Sequence, residues 1–357
     1  MKALRSAGIA CLIALAFVSS ANAGLSHSYK PTIVAGAGST GYAVNDSGQA
    51  TGFIRVGDKE HAFIYNGGFQ DIAGIVDPTA NKTAGIAITN SGKVIVNRRN
   101  GLYEVFRYDI ATGTVENGGA ALYLGTASGV NNAGLVVGGS DPAAPPVIAV
   151  SYGGALEPLM NGGNPVADPA QAVNNAGLII GNTAGSPYAY AGGAFISFGI
   201  NAYAYALNDA GVIVGYAPDA SRGGGWYPAL LGPAAVAFIP GFDATIAGGR
   251  AEGINSQGDI VGQMWDAGGA NKRAFLFHDG QVIDLNTVLT GPIPYTITNA
   301  VGITDNGWII GNAQDANGID FAIRLQSAPL PDAAMMGFGL LAAVGAYGLY
   351  RRLRRAE

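Results

Sequence analysis

Cysteine is nearly absent from this chain. Cys11 is the only one in 357 residues, and it lies in an apolar N-terminal stretch with the features of a cleaved leader. Without Cys11 the chain has no thiol, no disulfide and no cysteine ligand for a metal, so packing must hold it together. Positive charge is also scarce. Of the 19 Lys and Arg, two precede residue 24 and four follow residue 326; of the 24 Asp and Glu, all but Asp332 and Glu357 lie between. The segment between carries about nine net negative charges. That excludes a nucleic-acid partner, which needs a basic face to neutralise phosphates. It also excludes peripheral binding to anionic lipid. Histidine is limited to His27, His61 and His278; no two share a metal-ligand spacing, and none accompanies a G-x-S-x-G elbow.

The two ends are processing segments. Lys2 and Arg5 precede an apolar run, residues 9–18, and Ala21-Asn22-Ala23 forms an A-x-A site. This is a secretory signal peptide, 1–23, with signal peptidase as its partner and cleavage between Ala23 and Gly24. At the other end, 327–357, Pro329-Leu330-Pro331 precedes an apolar run and then Arg351, Arg352, Arg354 and Arg355. The apolar run, residues 333–350, spans about 27 Å as a helix, close to a bilayer core of about 30 Å. The sequence therefore predicts a single C-terminal transmembrane helix with arginines on its cytoplasmic side.

The body, 24–326, is a repeat. A small residue, an aliphatic one, an Asn-rich turn closed by Gly and a β-branched run recur seven times, as in Gly129-Val130-Asn131-Asn132-Ala133-Gly134. The turn glycines, Gly48, Gly92, Gly134, Gly177, Gly211, Gly258 and Gly307, are 44, 42, 43, 34, 47 and 49 residues apart. The turn Asn caps nearby backbone and the Gly supplies a positive φ for a tight hairpin. Runs such as Leu178-Ile179-Ile180 are apolar without alternation, which means burial on both faces. A third strand with aromatics and a fourth after a Gly turn complete about 43 residues, the size of a propeller blade. The expected fold is all-β: a seven-bladed β-propeller of seven four-stranded repeats. The seventh repeat lacks a fourth strand, and the segment 28–35 is expected to supply it and close the ring.

These motifs resemble the HAF repeats of bacterial extracellular proteins. The Asn/Gly core matches in five repeats, while the second and seventh have Thr89 and Thr304 for the first Asn. The triplet itself is intact at His61-Ala62-Phe63; Arg273 replaces the His in the sixth repeat, and Asp320-Phe321-Ala322 departs in the seventh. The resemblance implies a fold and an extracellular address, and no catalytic residues. The tail resembles the PEP-CTERM sorting signals of Gram-negative bacteria, in a variant with Leu330 where the motif has Glu. That resemblance implies an exosortase-like protease as partner, inner-membrane anchoring before processing, and the cell surface or extracellular matrix afterwards. A plain C-terminal anchor is the other reading.

Little in the body points to chemistry. Gly36-Ala37-Gly38-Ser39-Thr40-Gly41 matches a dinucleotide fingerprint, but a strand, not a helix, is expected next. Asp71, Asp259, Asp284 and Asp305 fall at turns and strand ends, where Asp caps backbone; calcium binding where several converge stays open, with no cofactor otherwise expected. Tyr188, Tyr190, Tyr203, Tyr205, Trp226 and Tyr227 pack between blades or form a sugar-stacking surface. Two functions stand. One is an exported, non-catalytic surface or matrix protein that binds exopolysaccharide or another surface ligand. The alternative is a secreted enzyme acting on polysaccharide in the propeller channel. It would need paired carboxylates or a His/Tyr/Arg set facing the channel, and Glu60, Glu104, Glu116, Glu157 and Glu252 are the only glutamates of the body.

Overall fold

The computed structural model describes residues 28–100, 102–116, 126–139, 149–151, 156–166 and 168–327. The leader, with Ala21, Ala23 and Gly24, lies outside the described residues. So do Pro329, Leu330 and Pro331, the apolar run 333–350 and Arg351, Arg352, Arg354 and Arg355. Among the described residues no helix is long and apolar enough to cross a membrane.

The described chain is all-β. Its strands form seven four-stranded antiparallel meanders, one per repeat: sheet one at 39–71, two at 82–116, three at 126–157, four at 170–197, five at 203–238, six at 246–284 and seven at 296–327. Sheets one and two are joined by a single parallel bridge, Glu60 to Lys82. Sheet seven takes its fourth strand from the other end of the chain. Tyr29–Ile33 pairs antiparallel with Asp320–Ser327, from Tyr29 against Ser327 to Ile33 against Ile323. The pairing expected of the segment 28–35 with the last repeat is therefore present, and Tyr29 within it is buried.

Sheets pack in cyclic order. The first strand of each lies against the preceding sheet, and the first strand of sheet one lies against sheet seven. The cores sit between neighbours, not within one sheet. Val94, Val96 and Tyr108 of sheet two meet Ala62, Ile64 and Ile72 of sheet one, and Ile297, Ile309 and Ile323 of sheet seven meet Val261, Leu276 and Leu285 of sheet six. The second strands are buried on both faces, as their unbroken apolar runs require: Ile179, Ile180, Ile309 and Ile310 are at most 4% exposed.

The repeated turn is more than a local cap. Its closing glycine has positive φ in all seven repeats, for example +86° at Gly134. The leading Asn is buried in five repeats and works in two directions. Asn174 Oδ1 accepts from Leu178 N within the turn at 2.9 Å, and Asn174 Nδ2 donates to Asn208 O of the next sheet at 3.0 Å. Asn208 does the same toward Asn255, and Asn131 toward Asn174. The sequence suggested only the local half. Thr89 and Thr304 keep that half through Oγ1, which accepts from Lys93 N and Trp308 N, but a hydroxyl cannot reproduce the forward amide donor. At the seventh-to-first junction Asn306 Nδ2 donates to Asp46 O instead.

The His-Ala-Phe triplet also has a structural role. His61 Nδ1 lies 2.7 Å from Asp71 Oδ2 on the neighbouring fourth strand, and Asp71 Oδ1 accepts from Ala73 N. In sheet six Arg273 reaches the equivalent Asp284 at 3.4 Å. Phe63 and Phe275 are fully buried over Gly52 and Gly262. The seventh triplet needs correction by one residue: Ile323 pairs with Gly311 as Phe63 does with Gly52. Phe321-Ala322-Ile323, not Asp320-Phe321-Ala322, therefore occupies the position. In sheet six His278 Nδ1 lies 2.5 Å from Asp259 Oδ1, and its side chain is 25% exposed.

Candidate ligand-binding site

Every first strand is bulged at the same place. Its ladder slips by one residue opposite the second strand, between Gly41 and Ala43, Gly85 and Ala87, Ala127 and Gly129, Ala170 and Ala172, Ala204 and Ala206, Ala251 and Gly253, and Ala300 and Gly302. A bulge bends its strand and re-aims the extra side chain. The extra residues differ widely: Tyr42, Ile86, Ser128, Gln171, Tyr205, Glu252 and Val301.

A second position differs in step. It follows the glycine that closes the β-branched run, on the end of the sheet away from the Asn/Gly turn. In three repeats an Asn there satisfies the backbone just before the next sheet's bulge. Asn182 accepts from Ala204 N and donates to Ala204 O; Asn97 does so with Ala127 and Asn312 with Gly41. Gln263 donates to Thr298 O. In sheets one and five the position is aromatic, Phe53 and Tyr216. Each ring meets the bulge tyrosine of its own sheet, Tyr42–Phe53 at 5.8 Å and Tyr205–Tyr216 at 5.7 Å.

Sheet five extends this pair into a platform. Tyr203 is the cross-strand partner of Tyr216 and stacks on it, with centroids 5.5 Å apart and planes at 19°. Trp226, on the third strand, is 4.8 Å from Tyr216 and 5.8 Å from Tyr203. All four rings are half-buried, so each presents surface to solvent. Burial, followed by the neighbouring Tyr205 hydroxyl, pushes the Tyr216 phenol up to about 12. Tyr216 therefore keeps its hydroxyl proton at neutral pH.

A charged pair borders it. The Arg250 guanidinium lies 5.8 Å from the Tyr205 ring, and its Nε donates to Glu252 Oε1 at 2.6 Å. The Glu252 side chain is 9% exposed. Its Oε2 accepts from Asn299 Nδ2 of sheet seven at 3.4 Å. Burial pushes the Glu252 carboxyl up, opposed by Arg250 and the Asn299 amide. No family model matches this chain. No curated protein matches it either.

The aromatic group that stands out in the sequence divides in two. Tyr203, Tyr205 and Trp226 belong to the platform. Tyr188 does not: it is fully buried, stacks on Phe195 at 5.0 Å and donates to Asp168 O. Tyr190 packs in the same core, between sheets three and four. Tyr227 is buried and donates to Ile246 O. Tyr216, the central ring, escapes notice in the sequence because it stands where other repeats have Asn. Aligning the repeats on the run's closing glycine exposes it.

The other candidates behave as capping residues. Asp71, Asp259 and Asp284 face His61, His278 and Arg273, and Asp305 Oδ1 accepts from Ser256 N. They lie in different turns, and among the described residues no three His, Cys, Asp or Glu are grouped to hold a metal. The glycine-rich stretch at 36–41 runs into the strand Ser39–Val44; it does not open a helix.

Proposed function

We propose that this chain is an exported, non-catalytic, seven-bladed β-propeller that binds glycan at the surface or in the matrix of a Gram-negative bacterium. The cyclic packing of seven four-stranded sheets and the closing strand Tyr29–Ile33 support the propeller. The observation that carries the binding reading is the half-exposed stack of Tyr203, Tyr205, Tyr216 and Trp226 beside the Arg250–Glu252 ion pair. Aromatic faces with a few fixed polar groups suit a ligand that has apolar C–H faces and many hydroxyls. A sugar is such a ligand. An organic cation would meet the Arg250 guanidinium already lying against Tyr205, and a nucleic acid would meet a negative body. An enzyme acting on polysaccharide would need a second carboxylate or a His/Tyr/Arg set in the site, whereas the set here holds Glu252 alone, already engaged by Arg250 and Asn299, and no histidine accompanies its tyrosines.

Signal peptidase acts after Ala23, and an exosortase-like protease acts near Pro329-Leu330-Pro331, with the run 333–350 holding the substrate in the membrane. Two measurements test this. Glycan-array binding by the purified protein is expected to fall at least tenfold in Tyr216→Ala; equal binding would refute the platform. Intact-mass measurement of the surface form is expected to end near Pro331, and a mass that includes Glu357 would leave the tail an ordinary anchor.

A further inference from the structure

Beside the platform lies a polar cavity of 660 Å³. Its wall draws on three sheets: Thr40 of sheet one, Gln263 of sheet six, and Thr296, Thr298, Asn299 and Asn312 of sheet seven. Each wall residue stands on the end of its sheet opposite the Asn/Gly turn. So do Tyr203 and its ladder partner Tyr216, and Trp226, the ladder partner of Pro218. The cavity and the platform therefore open on the same end of the molecule.

They are also physically joined. Tyr205 lies against Arg250, Arg250 pairs with Glu252, and Glu252 accepts from Asn299, which lines the cavity. Asn299 Oδ1 is buried with no hydrogen-bond partner among the described residues. Such an oxygen is destabilising unless something satisfies it. Sheets six and seven each add a second bulge at this end, between Ile246 and Gly248 and between Ile297 and Asn299. The second places Thr298 outside the regular ladder, in the cavity wall.

The lining selects a chemistry. It is made mostly of side-chain amides and hydroxyls, and its charged members, Lys272, Asp315 and Asp320, sum to a single negative charge. A lining without large apolar surface or a dominant charge suits a neutral polyhydroxylated ligand. Amides and hydroxyls both donate and accept, as sugar hydroxyls do.

We infer that the cavity is a second subsite of the same glycan site, and that the ligand is a neutral oligosaccharide with one unit stacked on Tyr216 and following units in the cavity. This rests on the glycan-binding reading of the platform and adds ligand length and charge to it. The test uses the full-length chain in mild detergent and cello-, malto- and chito-oligosaccharides of two to six units, titrated by calorimetry and tryptophan fluorescence. In at least one series the longer members should bind at least tenfold more tightly than the disaccharide. Thr298→Val and Gln314→Ala, both at the cavity, should each remove most of that gain and leave disaccharide affinity unchanged, while Tyr216→Ala weakens every length. Binding that does not change with length, or a length gain that survives both cavity variants, would overturn the second subsite and leave the platform standing. If no member of any series binds, the glycan reading itself fails and this inference with it.

Discussion

The two ends of the seven sheets follow different rules. At the turn end one arrangement recurs: an Asn or Thr that closes its own turn, a glycine with positive φ, and a link to the next sheet. At the opposite end the position after the run's closing glycine reads Phe53, Asn97, Gly139, Asn182, Tyr216, Gln263 and Asn312. Where it is Asn, both hydrogen-bonding groups of the amide go to the neighbouring backbone. Where it is aromatic, that link is given up: Tyr216 is half-exposed, and Phe53 is buried against Tyr42. The repeating end holds neighbouring sheets together. The varying end is where surface chemistry can change without loss of the fold, and there the platform, the Arg250–Glu252 pair and the polar cavity lie.

The sharpest way to break this division is to burden the scaffold itself. A Cβ on Gly262 would lie 2.0 Å from Arg250 O and 2.9 Å from the buried Phe275 ring. Gly262→Ala is expected to cost at least about 3 kcal/mol, seen as a large drop in thermal midpoint. Nature offers one control: the second repeat has Val96 at this position, and its ladder partner Phe106 is half-buried where Phe63 and Phe275 are fully buried.

Asn174→Ala removes a buried acceptor and the forward donor to Asn208 together. Its expected cost is about 2–3 kcal/mol, and Asn174→Thr, which keeps the local half, should recover part of it. Chemical denaturation of the pair measures the worth of the inter-sheet bond. Equal losses would show that the bond contributes nothing.

The most legible feature of the chain is this scaffold. A period near 43 residues, seven turn glycines and unbroken apolar runs specify the sheets and their two-sided burial, because each depends on local backbone chemistry repeated in sequence, and the missing fourth strand of the last repeat points to its pairing with Tyr29–Ile33. The site is legible only in part. Tyr203, Tyr205 and Trp226 stand out by composition, but Tyr188 and Tyr227 look the same and prove to be core. Arg250, Glu252 and Asn299 cannot be grouped from the sequence: Arg250 and Glu252 lie on one sheet and Asn299 on another, and only the bulges and the packing of adjacent first strands bring them together.

At the varying end, Tyr216→Ala should cost far less stability than either scaffold change, since the ring is half-exposed, yet should weaken glycan binding at least tenfold, about 1.4 kcal/mol. A large fall in thermal midpoint would make Tyr216 a scaffold residue and blur the distinction between the two ends.

The smallest expected effect concerns acid. In sheet two Lys93 bonds Asp109 and Glu116, and hydrogen bonds from Lys93 hold both carboxyls below their ordinary values. Carboxyls with depressed folded pKa values stabilise the protein above their unfolded values, about pH 4, and that contribution is lost as the pH falls through the folded values. Lys93→Met should therefore flatten the loss of stability below about pH 4, by a few °C in thermal midpoint. An unchanged acid profile would assign that loss to other groups.

Hydrogen exchange with a bound oligosaccharide tests the division of the two ends most directly. The account predicts added protection in residues 203–207, 213–219, 225–227, 246–252 and 296–314, with the seven Asn/Gly turns unchanged. Protection concentrated at the turns around Gly134, Gly177 and Gly211, with 203–219 unaffected, would contradict it.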